Sequence, residues 1–181
     1  MNSVTTKTGD KGTSGLANGQ RVDKDALIFD VLGTQDELNS WIGYSIALLE
    51  SSFSDQKKFL LSIQETLFYI GAELAASPEA KLKREALINL EKRSELLQSE
   101  MEEDWTTKFL FPGGNQAAAV IDITRTVARK LERKVVAYSK ETPTSDLILR
   151  YVNRLSDYLY VLRCYVNHRE QYQENKFERG E

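Results

Sequence analysis

Apolar residues recur at steps of three and four along most of this chain, the period of amphipathic helices. The clearest run is Leu60, Ile63, Leu67, Ile70 and Leu74. It predicts a helix over about residues 55–76 with one continuous seam. Ahead of it, Thr34-Gln35-Asp36-Glu37 reads as a capping box, with Thr34 at the N-cap and Glu37 at N3. That box opens a predicted helix over 34–49 whose inward positions are Leu38, Ile42, Ser45 and Leu49. Asp36 then falls at N2, where an acid ordinarily complements the helix dipole. A third helix, over 79–105, spreads Leu82, Leu90, Leu97 and Met101 among many charges and is expected to be the most exposed. Pro112-Gly113-Gly114 forms a turn, Asn115 caps a fourth helix from Gln116, and Val120, Val127, Leu131, Val135 and Tyr138 line one side of it. Thr144 is placed to cap a fifth helix over 145–170, with a seam of Ile148, Val152, Leu155, Leu159, Leu162 and Val166. The polar tail after it is expected to fray. All three prolines fall between predicted helices, no strand-length alternation competes, and no internal repeat is visible. The pattern predicts an all-α five-helix bundle over 33–170.

Residues 1–25 are different. Gly9, Gly12, Gly15 and Gly19 recur among Thr, Ser, Lys and Asp, a composition that cannot bury itself. The expectation is a loop or flexible arm, within a single domain over 1–181. Glycines permit close backbone approach, and Thr6, Lys7, Thr8, Lys11 and Ser14 supply donors, so the arm is also a candidate phosphate cradle. It is not a P-loop, because no GxxxxGK[ST] occurs.

The fourth helix adds candidate chemistry. Arg125, Arg129, Glu132 and Arg133 stand at i, i+4, i+7 and i+8 and share a face opposite the apolar one. Guanidinium forks suit phosphate oxygens, although a charged face by itself is ordinarily solvated surface. Asn153 and Asp157 lie one turn apart beside the fifth seam, where an Asn also serves as a register or capping device. A net charge of −3, from 24 basic and 27 acidic residues, argues against general nucleic-acid binding. No apolar run reaches about 18 residues, so no membrane span is expected. The first residues carry no signal-peptide h-region. A single cysteine, Cys164, fits a reducing cytoplasm, and a single histidine, His168, leaves little from which to build a zinc site or a His-based triad.

With these residues in place, the chain resembles the PduO-type cob(I)alamin adenosyltransferases. TKTGDKGTSGL at 6–16 and RVDKD at 21–25 resemble the family's N-terminal nucleotide motif. GTQDELNSWIG at 33–43 and QETLFYIGAELA at 64–75 resemble its first two helical blocks. KFLFPGG at 108–114, TRTVARKLER at 124–133 and YVNRLSDYLYVLRCYVN at 151–167 complete the order. The resemblance implies a five-helix, ferritin-like bundle, a homotrimer with active sites shared between subunits, and transfer of the 5′-deoxyadenosyl group of ATP to cob(I)alamin with release of triphosphate. By the same resemblance, Thr6, Lys7, Thr8, Gly9, Ser14 and Gly15 wrap ATP and order on binding it, and Lys24 contacts phosphate. Arg129, Glu132, Arg133 and Asn153 hold the nucleotide and its Mg2+-bearing triphosphate. Asp36 and Arg125 form a salt bridge at the subunit interface, Asp36 at the cobalamin side. Phe109 helps displace the corrinoid's lower nitrogen ligand. Implied partners are a flavoprotein reductase and an adenosylcobalamin-dependent acceptor enzyme.

The sequence departs from the family at Lys130, where many members carry a second arginine, and at Asp122, where a histidine is common. An anion at Asp122 is placed to draw Arg125 away from Asp36. Arg163-Cys164 replaces a smaller pair in the fifth helix. The alternative from another class is a non-catalytic bundle that binds corrinoid or ATP as a chaperone or sensor. Loss of Asp36, Arg129 or Asn153 would mark it, and all three are present.

Overall fold

The apolar seams turn inward as their spacing requires. The computed structural model describes residues 5, 7–101, 105 and 109–177. Among these the helices are α1 (Leu27–Leu48), α2 (Ser54–Leu74), α3 (Arg84–Ser99), α4 (Gln116–Ser139) and α5 (Asp146–Arg169). Every seam residue named above is buried except Tyr138, which is half-buried. Ser45, the one polar member, is fully buried and satisfied: its hydroxyl meets Trp41 O at 2.9 Å and Thr124 Oγ1 at 3.0 Å.

Helix α4 lies between α1 and α5, with α2 packed on the outer side of α1 and α3 on α5. The α1–α4 pair is antiparallel. Lys134 Nζ stands 3.1 Å from Asp30 near one end, and Ser45 meets Thr124 near the other. Helix α2 approaches α1 closely at Gly71, where any Cβ would collide with the side-chain amide of Gln35. A larger residue there would require the Gln35 amide to turn aside.

Four boundaries differ from expectation. Helix α1 begins at Leu27 with Ala26 at the N-cap, not at Thr34. The Thr34 hydroxyl instead donates to Asp30 O at 2.7 Å, one turn back inside the helix. Ile28 and Val31 extend the buried seam N-terminally. Burying them is worth about 1.5–3 kcal/mol each, more than the ~1 kcal/mol from a cap or the ~1 kcal/mol that Gly33 costs a helix. Asp36 is therefore mid-helix, and the N2 reading of it does not hold. Helix α3 is shorter than 79–105. Leu82 precedes it, its N–H tethered to Glu73 Oε2 at 2.7 Å, while residues 102–104 lie outside the described set. Ser145 rather than Thr144 caps α5, accepting from Leu147 N. Asn115 caps α4 as expected, accepting from Ala118 N at 2.8 Å.

The arm is not featureless. Strands β1 (Thr13–Gly15) and β2 (Arg21–Asp23) pair antiparallel, too short to register as alternation in the sequence. Leu16 and Val22 pack against the core, and Ala17 N donates to Ala75 O at the end of α2. Nor does the tail fray directly after α5. Leu110 bridges Lys176, and Glu174 is drawn in by an ion pair with buried Arg163. No helix of the described residues is long and apolar enough to cross a membrane.

Because α4 is packed on two sides, truncating Leu131, which is fully buried, should leave a cavity that cannot collapse. Leu131→Ala is expected to lower the unfolding free energy by about 2–5 kcal/mol in urea titrations. A loss below about 1 kcal/mol would contradict this packing. Burial also raises the Cys164 thiol pKa despite a contact with Arg163, so Cys164 should resist thiol reagents at neutral pH until the protein is denatured.

Candidate functional site

The site is built along α4. Its N-terminal turn is closed by two glycines: Gly113 and Gly114 take φ of +132° and +135°, a conformation that other residues rarely adopt. Gly114 also lies against the Asn167 side chain, leaving no room for a Cβ. Asn167 Oδ1 accepts from Asn115 N at 3.1 Å, which joins the head of α4 to α5. Just before this turn stands Phe109, with 83% of its surface exposed, beside a partly buried Leu110 and an exposed Phe111. An aromatic ring so exposed is free to meet an apolar surface outside this chain.

Further along α4, the polar face resolves into individual partnerships. Arg125 Nε donates to Asp122 Oδ1 at 2.7 Å. Asp36 is exposed on α1, and within the chain no ion pair joins it to Arg125. The carboxylate at Asp122 thus holds Arg125 as its position suggested. Lys130 pairs with Glu37 on α1 and so points away from the arginine face. Glu132 Oε1 accepts from Asn153 Nδ2 at 2.6 Å, bringing together two predicted residues from separate helices. Arg129 and Arg133 are exposed, with Arg133 Nη1 bonded to Arg129 O at 3.1 Å. Arg125 and Arg129 line an open groove of about 500 Å³ between α3, α4 and α5. Arg154, Asp157 and Tyr160 form its other wall. Burial and the neighbouring Cys164 push the Tyr160 hydroxyl up to about 12, so it stays a neutral donor at working pH.

The arm contributes a second cluster. Gly12 N donates to Gly9 O at 3.2 Å, closing a turn. The Lys24 ammonium lies across Gly9, where a Cβ would stand 2.9 Å from Nζ. Arg21 Nη2 donates to Thr8 O at 2.6 Å and to Thr13 O at 3.0 Å. Lys7 holds a positive φ of 57°, and Ser14 and Gly15 lie in β1. Thr6 lies outside the described residues. Lys7, Thr8, Gly9 and Lys24 are thus gathered on one short stretch of arm. Phe109, by contrast, is remote from Glu132. From Gln116 to Glu132 the helix rises about 24 Å, so the two mark opposite ends of one wall.

Sequence reasoning missed Arg21, Arg163 and Asn167, which shape the site from behind. Arg21 stood inside the RVDKD motif, the available signal. Arg163 stood out only as a departure from the family pattern, and Asn167 gave no signal beyond polarity on a seam-rich helix.

A profile of the family described as cobalamin adenosyltransferase matches residues 4–166. The chain belongs to the cobalamin adenosyltransferase family. It is 42% identical over 180 residues to a corrinoid adenosyltransferase of Bacillus subtilis, covering 97% of this chain and 92% of that one. With the Homo sapiens corrinoid adenosyltransferase MMAB it shares 34% identity over 180 residues, 94% of this chain and 71% of that one. A variant PduO-type ATP:corrinoid adenosyltransferase from Lactobacillus reuteri, solved in complex with cobalamin and ATP, superposes with a TM-score of 0.91 at 30% identity. The match covers 98% of this chain and 100% of that one. The activity of this adenosyltransferase is the ATP-dependent adenosylation of cob(I)alamin.

If the Glu132–Asn153 pair shapes the nucleotide site, Asn153→Ala should reduce kcat/KM for ATP about tenfold to hundredfold, the worth of a hydrogen bond to a charged group. Steady-state kinetics at saturating corrinoid measure it. An unchanged kcat/KM would remove the pair from the site.

Proposed function

We propose that α4 works as a two-ended wall, with the triphosphate of ATP held around Arg129, Glu132, Arg133 and Asn153 and the corrinoid seated toward Phe109. The observation that carries this reading is the 2.6 Å contact between Glu132 and Asn153, which fixes a carboxylate and an amide beside two exposed arginines. Lys7, Thr8, Gly9, Ser14, Gly15 and Lys24, with Thr6, form an arm that wraps the nucleotide against a bundle over 33–170. The donor set suits Mg2+ carried on the nucleotide: the ion prefers one or two carboxylates plus phosphate oxygens, and Glu132 offers such a carboxylate. When bound, the ion neutralises charge on the triphosphate.

The reaction asks little proton chemistry of the protein. Cobalt(I) attacks C5′ of ATP, a cobalt–carbon bond forms, and the C5′–oxygen bond breaks with its electron pair leaving on triphosphate. Cobalt is formally oxidised by two electrons. The nucleophile is the corrinoid's own metal, so no general base is needed. The chain's tasks are to align C5′ and to stabilise the departing anion. Positioning supplies several kcal/mol of the barrier, and fixed cations aimed at the leaving group supply several more. Arg129 and Arg133 are the fixed cations. Lys130 keeps the charge of the arginine it replaces, but its pairing with Glu37 takes it out of that task. The exposed ring of Phe109 covers the lower face of the corrin, excluding water and the lower nitrogen ligand.

We extend the reading to assembly and setting. Active sites are shared in a homotrimer, with exposed Asp36 reaching Arg125 of a neighbouring copy in competition with Asp122. The enzyme is cytoplasmic, is supplied with reduced corrinoid by a flavoprotein reductase, and passes its product to an adenosylcobalamin-dependent enzyme.

Arg129→Ala is expected to lower turnover at least a hundredfold while sedimentation shows an unchanged oligomer. Wild-type turnover would exclude Arg129 from the site. Phe109→Ala should bind ATP normally yet leave bound cob(II)alamin five-coordinate in its absorption spectrum, and a spectrum identical to wild type would defeat the assignment of the ring.

A further inference from the structure

The segment 109–111 that presents Phe109 is gripped by the C-terminal end of the chain. Phe177 N donates to Phe109 O at 2.8 Å, Phe111 N donates to Asn175 O at 2.9 Å, and Leu110 bridges Lys176 in antiparallel register. Successive side chains alternate across such a ladder. Leu110 accordingly packs against the core while Phe109 and Phe111 face outward, and Phe111 meets Phe177 edge to face at 6.0 Å. A two-stranded ladder of this length is not stable by itself in water. Its anchor is Glu174. Glu174 Oε1 lies 2.6 Å from Arg163 Nη1 and 2.7 Å from Asn167 Nδ2. Arg163 is 2% exposed, and a guanidinium so buried requires a counter-ion. The same guanidinium donates to Phe111 O at 2.8 Å and to Gly113 O at 3.1 Å. One carboxylate therefore ties the terminal strand, through a buried cation, to the backbone on which Phe109 is mounted.

We propose that Glu174 and Arg163 are positioning residues for corrinoid activation, latching the terminal strand along 109–111 so that the Phe109 ring is held against the lower face of the corrin. This rests on the reading of Phe109 given above. Neither residue needs to touch the substrate. The latch fixes the backbone of 109–111, and the ring inherits that order. Loss of the latch leaves the ring present but badly aimed. A bound corrinoid then keeps its lower ligand more often, while the ATP end of the wall, about 24 Å along α4, is unaffected.

The test uses the full chain with three single substitutions: Glu174→Ala, Phe177→Pro, which removes the N–H that Phe109 O accepts, and Phe109→Ala. The readouts are KM for ATP, kcat/KM for corrinoid, and the four-coordinate fraction of bound cob(II)alamin by absorption. Glu174→Ala and Phe177→Pro are each expected to lower kcat/KM for corrinoid about tenfold and to reduce the four-coordinate fraction, with KM for ATP unchanged. Adding Glu174→Ala to Phe109→Ala is expected to have no further effect, because both act through the same ring. Phe177 is exposed, so its variant carries the test if Glu174→Ala does not fold. Wild-type corrinoid kinetics and spectrum in the latch variants, beside a changed Phe109→Ala, would overturn the latch alone. A matching rise in KM for ATP, or additive losses in the double variant, would also overturn it. A wild-type spectrum in Phe109→Ala would overturn the reading of the ring and the latch with it.

Discussion

The structure depends on the burial of one face of α4 between α1 and α5. Val127, Leu131 and Val135 on one side of that helix leave its other side free for charge. The cost of presenting arginines at a working surface is therefore low. The exposed guanidiniums of Arg129 and Arg133 stay hydrated, while the apolar face supplies the stability. Two neighbours fix the helix along its length. Thr124, in the N-terminal half of α4, bonds with Ser45 of α1, and Asn167 of α5 holds the N-terminal turn at Asn115. A wall fixed in this way can carry an aromatic at one end and an anion clamp at the other without either end disturbing its partner.

The division of labour follows from the chemistry. A nucleophile as strong as cobalt(I) moves the enzyme's task from proton transfer to geometry and charge. The described residues reflect that: the polar groups gathered along α4 and the arm pair cations and amides with carboxylates and backbone oxygens, and burial raises the hydroxyls of Tyr151 and Tyr158, so they remain neutral. On the proposed role of Phe109, specificity for a corrinoid would rest on an exposed ring mounted on the paired backbone of 109–111.

The seams were legible because burial repeats at every turn, and each of Leu60, Ile63, Leu67, Ile70 and Leu74 repeats the same information. Boundaries were harder. Thr34 and Glu37 have the residue types of a capping box, yet Ile28 and Val31 outweigh a cap, and nothing local to Thr34 reveals it. Glu132 and Asn153 were readable as candidates from motif order, while their 2.6 Å contact required the α4–α5 packing to be known. The tail was misread because its residues are polar. What orders it is Glu174 finding a cation hidden in α5, a long-range pairing that leaves no periodic trace. Arg163 illustrates the same limit. In the sequence it stood only as a departure from a smaller family pair, and the fold turns it into a buried donor to Phe111 O and Gly113 O.

The claim that one wall joins an ATP triphosphate to a reduced corrinoid is tested most directly by stoichiometry. Purified protein, ATP, Mg2+ and chemically reduced cobalamin are mixed without oxygen, and adenosylcobalamin is followed by absorbance while the phosphate products are separated. The account predicts conversion that requires both protein and ATP, with one intact triphosphate released per adenosylcobalamin. Release of diphosphate and phosphate in its place, or conversion indifferent to the protein, would contradict it.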